Sequence, residues 1–180
     1  TCRRQRQMCI RDRPGGHDQT IGHTSGYRVL TPSRPGYLRT PLSVGYTPLE
    51  QAAAFKELLD GLGIQKVIVI GISGGGPSSM EFAAAFPERT LGLVALEAVS
   101  FSEDLSDEDA AGLEFSDRDT MFSLLSLHLL NDRAIAEYLL PNKNNQDRAL
   151  ADPKKIQSLK DLVWTIWPFS KRRDGFYNDY

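Results

Sequence analysis

The chain has 180 residues, of which 41% are hydrophobic and 24% charged, and its formal net charge is −2. This length and composition are typical of one soluble globular domain with its own core. No apolar run approaches the roughly 20 residues that span a membrane, and the N-terminus lacks the apolar core of a signal peptide. We therefore expect no membrane partner and no secretory leader.

The first thirteen residues, TCRRQRQMCIRDR, differ in composition from the rest of the chain. They are rich in arginine and hold both cysteines, Cys2 and Cys9. An arginine-rich arm can bind nucleic acid, but QRQMCIRDR resembles translated adapter sequence, and we interpret residues 1–13 as foreign or disordered. Removing their five arginines and one aspartate leaves 16 basic and 22 acidic residues, a net charge of −6, and no cysteine. We therefore expect no nucleic-acid partner, no disulfide framework and a cytoplasmic location.

The first two predicted elements are a short strand and a helix. The strand covers residues 27–31 (YRVLT) and is expected to stop at Pro32. The helix begins after Thr47, because Thr47 can cap it, Pro48 suits its first position and Glu50 completes a capping box. Its predicted apolar positions are Ala53, Phe55, Leu58, Leu59 and Leu62. Gly61 and Gly63 are expected to end it.

A strand, a helix and another strand follow with short links. Residues 66–72 are a valine and isoleucine run of the kind buried on both faces of a parallel sheet. Residues 77–86 are an alanine-rich helix that Pro87 ends, and residues 91–99 (LGLVALEAV) are a second buried strand. The alternation predicts right-handed βαβ units, and hence an α/β fold with a doubly wound, mostly parallel sheet over residues 14–100.

The composition changes after residue 100. An acidic, polar stretch around residues 102–109 is typical of a solvated surface. Helices are predicted from Ser116, with Asp119 three residues on, and from Asp152-Pro153. Because no strand pattern separates them, we predict a helical lid over residues 101–180.

The junction between the valine-rich strand and the alanine-rich helix carries the clearest functional pattern. Residues 71–75 read Gly-Ile-Ser-Gly-Gly, which fits G-x-S-x-G, the nucleophile elbow. A strand that turns at once into a helix strains its corner residue, and positions two before and two after, Gly71 and Gly75, must be small. The corner residue, Ser73, is then presented as a nucleophile, and the N–H of Gly74 is free to bind a developing oxyanion.

A phosphate-binding loop and a plain tight turn between strand and helix are the alternative interpretations of these glycines. A Walker A loop requires Gly-Lys-Ser/Thr, and no lysine lies in the turn. A dinucleotide fingerprint requires glycine where Ser73 stands. The elbow is therefore the favoured interpretation.

The chain resembles α/β-hydrolases of the single-domain group that includes esterases, epoxide hydrolases and proline iminopeptidase-like enzymes. The similar segments are residues 14–19 (PGGHDQ), residues 33–37 (SRPGY) and the elbow with the Gly-Pro-Ser that follows it. The resemblance implies an α/β-hydrolase fold, incomplete in this chain, acting on an ester, amide or similar small-molecule acyl substrate without metal or organic cofactor. In the family a His-Gly pair precedes the loop that corresponds to residues 14–19, and in this chain Arg11-Asp12 stands at that place. Gly15 and Gly16 remain from the family loop and are candidate substrate-binding residues.

The catalytic histidine is the missing member of the family pattern. Triad order in this fold is Ser, then Asp or Glu, then His. Of the three histidines, His17 and His23 precede Ser73, and His128 lies in the helical run LLSLHLL, where packing or surface exposure is favoured. The resemblance therefore predicts a histidine beyond Tyr180 and a fragment that is inactive without it.

Three further residues are candidates with open alternatives. Glu97 falls where some family members place the catalytic acid, and otherwise it is a polar strand-end residue. Trp164 and Trp167, with Phe169, line an apolar substrate pocket or pack the lid. A different function, a non-catalytic ligand-binding module on the same scaffold, is supported if the full reading frame lacks a histidine after the last strand. The sequence leaves the substrate and the oligomeric state open.

Overall fold

The computed structural model describes residues 10–11, 29–100, 116–165 and 167–179. These residues fall into two compact units, one with residues 10–11, 29–100 and 171–179, the other with residues 116–165 and 167–170. Residues 171–179, which the sequence groups with the lid, thus belong to the unit that holds the strands. No described helix is long and apolar enough to cross a bilayer.

The described elements follow in chain order, with single 3-10 turns at Leu42–Val44, Ser73–Gly75, Pro87–Arg89 and Phe169–Lys171. They are β1 (Ile10–Arg11), β2 (Thr31–Pro32), α1 (Pro48–Gly61), β3 (Val67–Ile72), α2 (Gly76–Ala85), β4 (Thr90–Leu96), α3 (Asp117–Leu130), α4 (Asp132–Leu139), α5 (Lys143–Leu150), α6 (Pro153–Trp164) and α7 (Arg173–Asn178).

Helix α1 begins as its sequence predicts. The Thr47 hydroxyl accepts from the Glu50 N–H at 3.2 Å, and the Glu50 carboxylate accepts from the Thr47 N–H at 3.0 Å, so the capping box is confirmed. The helix ends at Gly61, and Gly63 then adopts a φ of +69°, which glycine alone reaches without strain.

The predicted apolar face of α1 is only partly right. The buried residues are Gln51, Ala52, Ala54, Leu58 and Leu59. Leu58 and Leu59 were predicted, whereas Leu62 is exposed and Ala53 and Phe55 are half-buried. Two neighbours set the buried face: Ala52 and Leu59 pack with Phe82 of α2, and Ala54 and Leu58 pack with Val44 of the turn Leu42–Val44.

Strands β3 and β4 pair in parallel and are joined through α2, which confirms the predicted βαβ order. The register pairs Ile68 with Gly92, Ile70 with Val94 and Ile72 with Leu96. Helices α1 and α2 cover one face of this pair, where Val67 and Val69 contact the Phe82 cluster.

The prediction that both strands are buried on both faces is wrong for the described residues. Ile68, Ile70 and Ile72 are 47%, 36% and 45% exposed, and Leu93, Val94 and Leu96 of β4 are also exposed. Successive side chains of a strand point to opposite faces, so Ile68, Ile70 and Ile72 share the face of β3 that the described helices leave uncovered. In β4 the consecutive residues Leu93 and Val94 are both exposed, so the described residues leave the end of this strand uncovered on both faces. An apolar run therefore indicates a sheet between two layers, but the described part of the unit supplies one layer.

The N-terminal strand pair differs from the predicted strand at residues 27–31. Residues 27–28 lie outside the described residues, and β2 contains Thr31 and Pro32, paired antiparallel with Arg11 and Ile10. The proline expected to stop the strand is inside it, because a two-residue edge ladder does not require its missing N–H. That residues 1–13 are foreign or disordered stays a prediction.

The second unit consists of four helices in succession. The predicted start of α3 is confirmed, since the Ser116 hydroxyl accepts from the Asp119 N–H at 3.1 Å. The Asp152 carboxylate likewise accepts from the Lys154 N–H at 3.0 Å at the start of α6. Ala136, Ala149 and Ile156 form a buried cluster of α4, α5 and α6. That these helices act as a lid stays a prediction.

Candidate active site

Ser73 stands at the corner between β3 and α2. It follows Ile72 directly, its φ is +49°, and it is exposed. A serine in the left-handed region costs free energy that an ordinary turn avoids, and such residues cluster at functional sites. The corner geometry that the motif predicts is therefore present around Ser73.

The steric requirement for glycine around the corner holds at Gly71 but not at Gly75. A Cβ on Gly71 would lie 2.7 Å from the Ser79 Cβ, so this position must be glycine, as predicted. No described atom lies within 4 Å of the place where a Cβ on Gly75 would be, so the steric argument for Gly75 is wrong. The close approach falls one residue later, because a Cβ on Gly76 would lie 2.7 Å from the Val99 carbonyl oxygen. The turn thus packs against the chain that follows β4.

The end of β4 lies beside Ser73. The Val99 N–H donates to the Ser73 carbonyl at 3.0 Å. Glu97 follows Leu96 directly, is exposed and has a φ of +45°. Because Ile72 and Leu96 are register partners and parallel strands run about 4.8 Å apart, Ser73 and Glu97 continue neighbouring strands side by side.

Gly74 is in contact with a charged pair. A Cβ on Gly74 would lie 2.9 Å from the Asp179 Oδ2 and 3.3 Å from the Arg34 Nη2. Gly74 also lies just before α2, where the positive end of the helix dipole favours negative charge. No side chain larger than hydrogen fits at residue 74 unless Asp179 moves.

Asp179 is held by Arg34 and Tyr37. The Arg34 Nη1 donates to Asp179 Oδ1 at 2.6 Å, while Arg34 Nη2 and the Tyr37 hydroxyl both donate to Oδ2. The Arg34 guanidinium also lies 4.7 Å from the centroid of the Tyr37 ring. Burial lowers the pKa of Arg34, but the hydrogen bond and the charge of Asp179 outweigh it and raise that pKa. We call these three side chains the Arg34 cluster.

The sequence indicated the Arg34 cluster only in part. Residues 33–37 were identified as a family loop, but nothing in the sequence pointed to a partner for Arg34. That partner is 145 residues away, in a segment with no strand or motif pattern. An arginine and a tyrosine on either side of one loop glycine do not identify a carboxylate partner in the sequence.

Helix α7 brings Asp179 to this place because several bonds fasten it to the loop after β2. The Gly175 N–H donates to the Gly36 carbonyl at 3.1 Å, and the Asn178 side chain donates to the Tyr46 carbonyl at 2.8 Å. A Cβ on Gly36, whose φ is +81°, would lie 2.3 Å from the Gly175 nitrogen. The Gly36 backbone can approach Gly175 this closely because it has no side chain, and a Cβ on Gly175 would lie 2.2 Å from the Tyr37 ring.

A small cavity of about 40 Å³ adjoins the cluster. Its lining includes Arg34, Gln51, Gly74, Ser78 and Asn178. Gln51 is 3% exposed, and its Oε1 has no hydrogen-bond partner among the described residues. A cavity of this size holds one or two waters and is far below the roughly 300 Å³ of a small-molecule pocket. The described residues alone therefore form a space too small for a drug-sized ligand at this place.

Several predicted site residues lie elsewhere or outside the described residues. Gly15, Gly16, His17 and His23 lie outside them. His128 is in α3, which confirms its helical placement, although its side chain is outside the description. Among the described residues, no group of three histidine, cysteine, aspartate or glutamate side chains is arranged to hold a metal.

The aromatic residues after α6 belong to the second unit. Trp164 is the last residue of α6 and is half-buried, Trp167 is exposed, and Phe169 is buried. The buried side chain of Phe169 is what we expect if these aromatic residues pack in the protein instead of lining a substrate pocket. A substrate-binding role for Trp164 and Trp167 stays a prediction.

Comparison with known proteins shows which family and which solved structure the chain is similar to. The family model described as alpha/beta hydrolase fold matches residues 14–156. An alpha/beta hydrolase fold protein from Nakamurella multipartita superposes with a TM-score of 0.71 and 28% identity, covering 96% of this chain and 68% of that one. These findings confirm the fold class and the resemblance that the sequence predicts.

Two curated relatives match over shorter stretches. An uncharacterized hydrolase of Bacillus subtilis, YcgS, is 42% identical over 93 residues, which are 48% of this chain and 33% of that protein. The 2-hydroxy-6-oxo-6-phenylhexa-2,4-dienoate hydrolase of Burkholderia cepacia is 40% identical over 68 residues, 37% of this chain and 24% of that protein. The matched part of the chain thus spans a third or less of these relatives.

Proposed function

The chain belongs to the alpha/beta hydrolase fold family, and on that premise we propose that it provides the nucleophile of a serine hydrolase acting on an ester, amide or similar acyl bond. The observation that carries the proposal is Ser73, exposed and left-handed between a parallel strand and a helix. The hydrolase names of the curated relatives support the reaction class. Their similarity supports a small-molecule substrate without defining it.

The proposed reaction is acyl transfer through the serine. The Ser73 Oγ attacks the acyl carbon while a base takes its proton, and the carbonyl oxygen becomes an oxyanion that accepts a hydrogen bond from the Gly74 N–H. Collapse of the tetrahedral intermediate breaks the bond to the leaving group, which receives the proton. Water then attacks the acyl-serine by the same route, which releases the acid and restores Ser73.

The base and the acid complete the proposal. The base is a histidine carried by sequence beyond Tyr180, as the order Ser, acid, His in this fold suggests. Glu97 is the acid that orients it, and its support is the position beside Ser73 at the end of the neighbouring strand. Replacing Glu97 by glutamine is expected to lower kcat by at least about 100-fold, since triad acids contribute about 10⁴-fold in serine enzymes.

The test compares the 180-residue chain with a longer protein that also contains the coding sequence after Tyr180. We expect the longer protein to hydrolyse p-nitrophenyl acetate, and Ser73→Ala to abolish turnover. Ser43→Ala, which changes an exposed serine in the turn Leu42–Val44, is the matched control and should keep full activity. The 180-residue chain alone should show no turnover.

Two results contradict parts of this proposal. Turnover that survives Ser73→Ala excludes Ser73 as the nucleophile. Full turnover by the 180-residue chain excludes a base beyond Tyr180. A longer reading frame without a histidine after its last strand favours the alternative, a ligand-binding module on a hydrolase scaffold.

A further inference from the structure

We propose that Asp179 is a positioning residue for the Gly74 backbone and that Arg34 cancels its charge beside the place where the oxyanion forms. The proposal rests on the proposed function, because it concerns the Gly74 N–H as oxyanion donor. It assigns a catalytic consequence to an ion pair that is otherwise a contact between two loops. Neither residue touches the substrate in this scheme.

The first support is the contact itself. The Asp179 Oδ2 lies 2.9 Å from the place of a Gly74 Cβ, so the carboxylate fills the space beside the residue that follows the nucleophile. The three bonds from Arg34 and Tyr37 restrain the carboxylate, so it cannot easily move away. A restrained neighbour limits the orientations of the Gly74 peptide and hence the direction of its N–H.

The second support is the charge balance. The Asp179 Oδ2 lies 2.9 Å from the place of a Gly74 Cβ, a position two covalent bonds from the backbone nitrogen, so the carboxylate is a neighbour of the residue whose N–H would hold the oxyanion. An uncompensated carboxylate there opposes a developing oxyanion, because like charges in a partly buried site repel strongly. The Arg34 guanidinium is bidentate on that carboxylate, which makes the pair neutral at the site.

The third support is the low exposure of the pair. The side chains of Arg34 and Asp179 are 20% and 14% exposed, so solvent screens either charge poorly once its partner is removed. Removing one partner of a buried pair leaves an uncompensated charge, whereas removing both is much milder. Removing Arg34 alone leaves a negative charge beside the oxyanion, whereas removing Asp179 alone does not, so kcat should fall more in the first variant. The double variant, which has neither charge, should recover kcat relative to the variant that lacks only Arg34.

The experiment measures acylation by p-nitrophenyl acetate in the longer protein defined above. The variants are Arg34→Gln, Asp179→Asn, the double variant and Arg34→Lys. Arg133→Gln is the matched control, since Arg133 forms an exposed pair with Glu137 at 3.7 Å in the second unit. Thermal unfolding of each variant is recorded alongside.

We expect Arg34→Gln to lose about 100-fold in kcat with little change in KM, as when oxyanion stabilisation is lost. Asp179→Asn keeps the shape and removes the negative charge, and it should lose about tenfold or less through a looser Gly74. The double variant should recover to the level of Asp179→Asn. Arg34→Lys keeps the charge without the bidentate geometry and should lie between wild type and Arg34→Gln.

A purely structural pair predicts another pattern. The loss of kcat in every variant, including the double variant, would then follow that variant's loss of thermal stability, and Arg34→Gln would lose no more activity than an equally destabilised Asp179→Asn. That pattern, or equal activity in all variants, overturns the proposal.

A second measurement separates this proposal from the proposed function. If even the wild type shows no Ser73-dependent acylation, the proposed function fails, and the Gly74 amide resonance of the 180-residue chain still reports on the contact. Asp179→Ala should shift that resonance and speed its hydrogen exchange, whereas Arg133→Gln should not. An unchanged Gly74 resonance overturns the positioning role.

Discussion

Ser73 and Glu97 are the first residues after two neighbouring parallel strands, and both hold left-handed backbone, with φ angles of +49° and +45°. The register partners Ile72 and Leu96 place them side by side. Left-handed backbone costs a residue with a side chain about 1–2 kcal/mol, and neither residue is glycine. Two strained residues at one sheet edge are typical of a site where geometry is kept at the expense of stability.

Replacing Glu97 by glycine should therefore stabilise the protein. We expect the free energy of unfolding to rise by about 1 kcal/mol, because glycine adopts a positive φ freely. Urea denaturation of the 180-residue chain measures this change. The matched control is Glu88→Gly in the turn Pro87–Arg89, where φ is negative and glycine should destabilise by about 0.5–1 kcal/mol. Equal effects at both positions would show that Glu97 is not strained.

Alanine at Gly71 and at Gly75 should have different effects, although both are glycines of one motif. Gly71→Ala places a methyl group 2.7 Å from the Ser79 Cβ and should destabilise by about 1–3 kcal/mol. Gly75→Ala meets no described atom within 4 Å and should change stability by less than about 0.5 kcal/mol. Thermal unfolding of the two variants checks the difference, and a large loss for Gly75→Ala would contradict the observed geometry.

Arg89 is expected to fasten the turn between α1 and β3. It donates to the carbonyls of Ile64 and Gln65 at 2.7 and 2.6 Å and to the Asp60 carboxylate at 2.5 Å. Arg89→Ala should lower the free energy of unfolding by about 1–3 kcal/mol, mainly through the two carbonyls that lose a charged donor.

Two further variants test the specificity of the Arg89 bonds. Arg89→Lys should recover only part of the loss, because one ammonium cannot reproduce the fork of three donors. Arg133→Ala, at an exposed pair, should cost less than about 0.5 kcal/mol. Chemical denaturation provides the comparison, and a full rescue by lysine would count against the role of the guanidinium fork.

Tyr37 should make stability fall at alkaline pH. Burial and the hydrogen bond to Asp179 raise the pKa of Tyr37 above its ordinary 10.0, although the Arg34 charge opposes this. The folded state therefore holds the phenol proton more tightly than the unfolded state does. The contribution of the Tyr37 phenol to the free energy of unfolding is complete below pH 10. It is lost as the pH rises from there toward the pKa of Tyr37 in the folded state.

The variant Tyr37→Phe isolates this contribution. Its free energy of unfolding should depend less on pH above about pH 10 than that of the wild type, because the phenol that loses its proton on unfolding is gone. Tyr138→Phe is the control, since Tyr138 is 70% exposed on α4. Urea denaturation across the alkaline range gives the slopes, and parallel slopes for wild type and Tyr37→Phe would contradict the linkage.

Local signals in the sequence were sufficient for the elements that lead to the site. The capping box at Thr47 and the valine-rich run before Ser73 each depend on residues a few positions apart, and such short-range physics is readable from sequence. The left-handed corner at Ser73 follows from the same kind of signal, a strand meeting a helix without a linker.

Features that depend on distant neighbours were missed or wrongly predicted. The requirement at Gly76 instead of Gly75 depends on the chain after β4, and the exposed face of Ile68 depends on which layers cover the sheet. Asp179 carries no local pattern at all, and its bonds to Arg34 and its place beside Gly74 appear only in the folded chain. Each of these needs a contact partner that periodicity cannot identify.

The separation of 145 residues between Arg34 and Asp179 also orders events during synthesis. Residues 67–85 leave the ribosome about a hundred residues before Asp179 does, so the corner can form while its neighbour is still unmade. Contacts of such long sequence separation form late, since a large loop must close first. A nascent chain would therefore carry Gly74 without its Arg34–Asp179 neighbour until translation has passed residue 179.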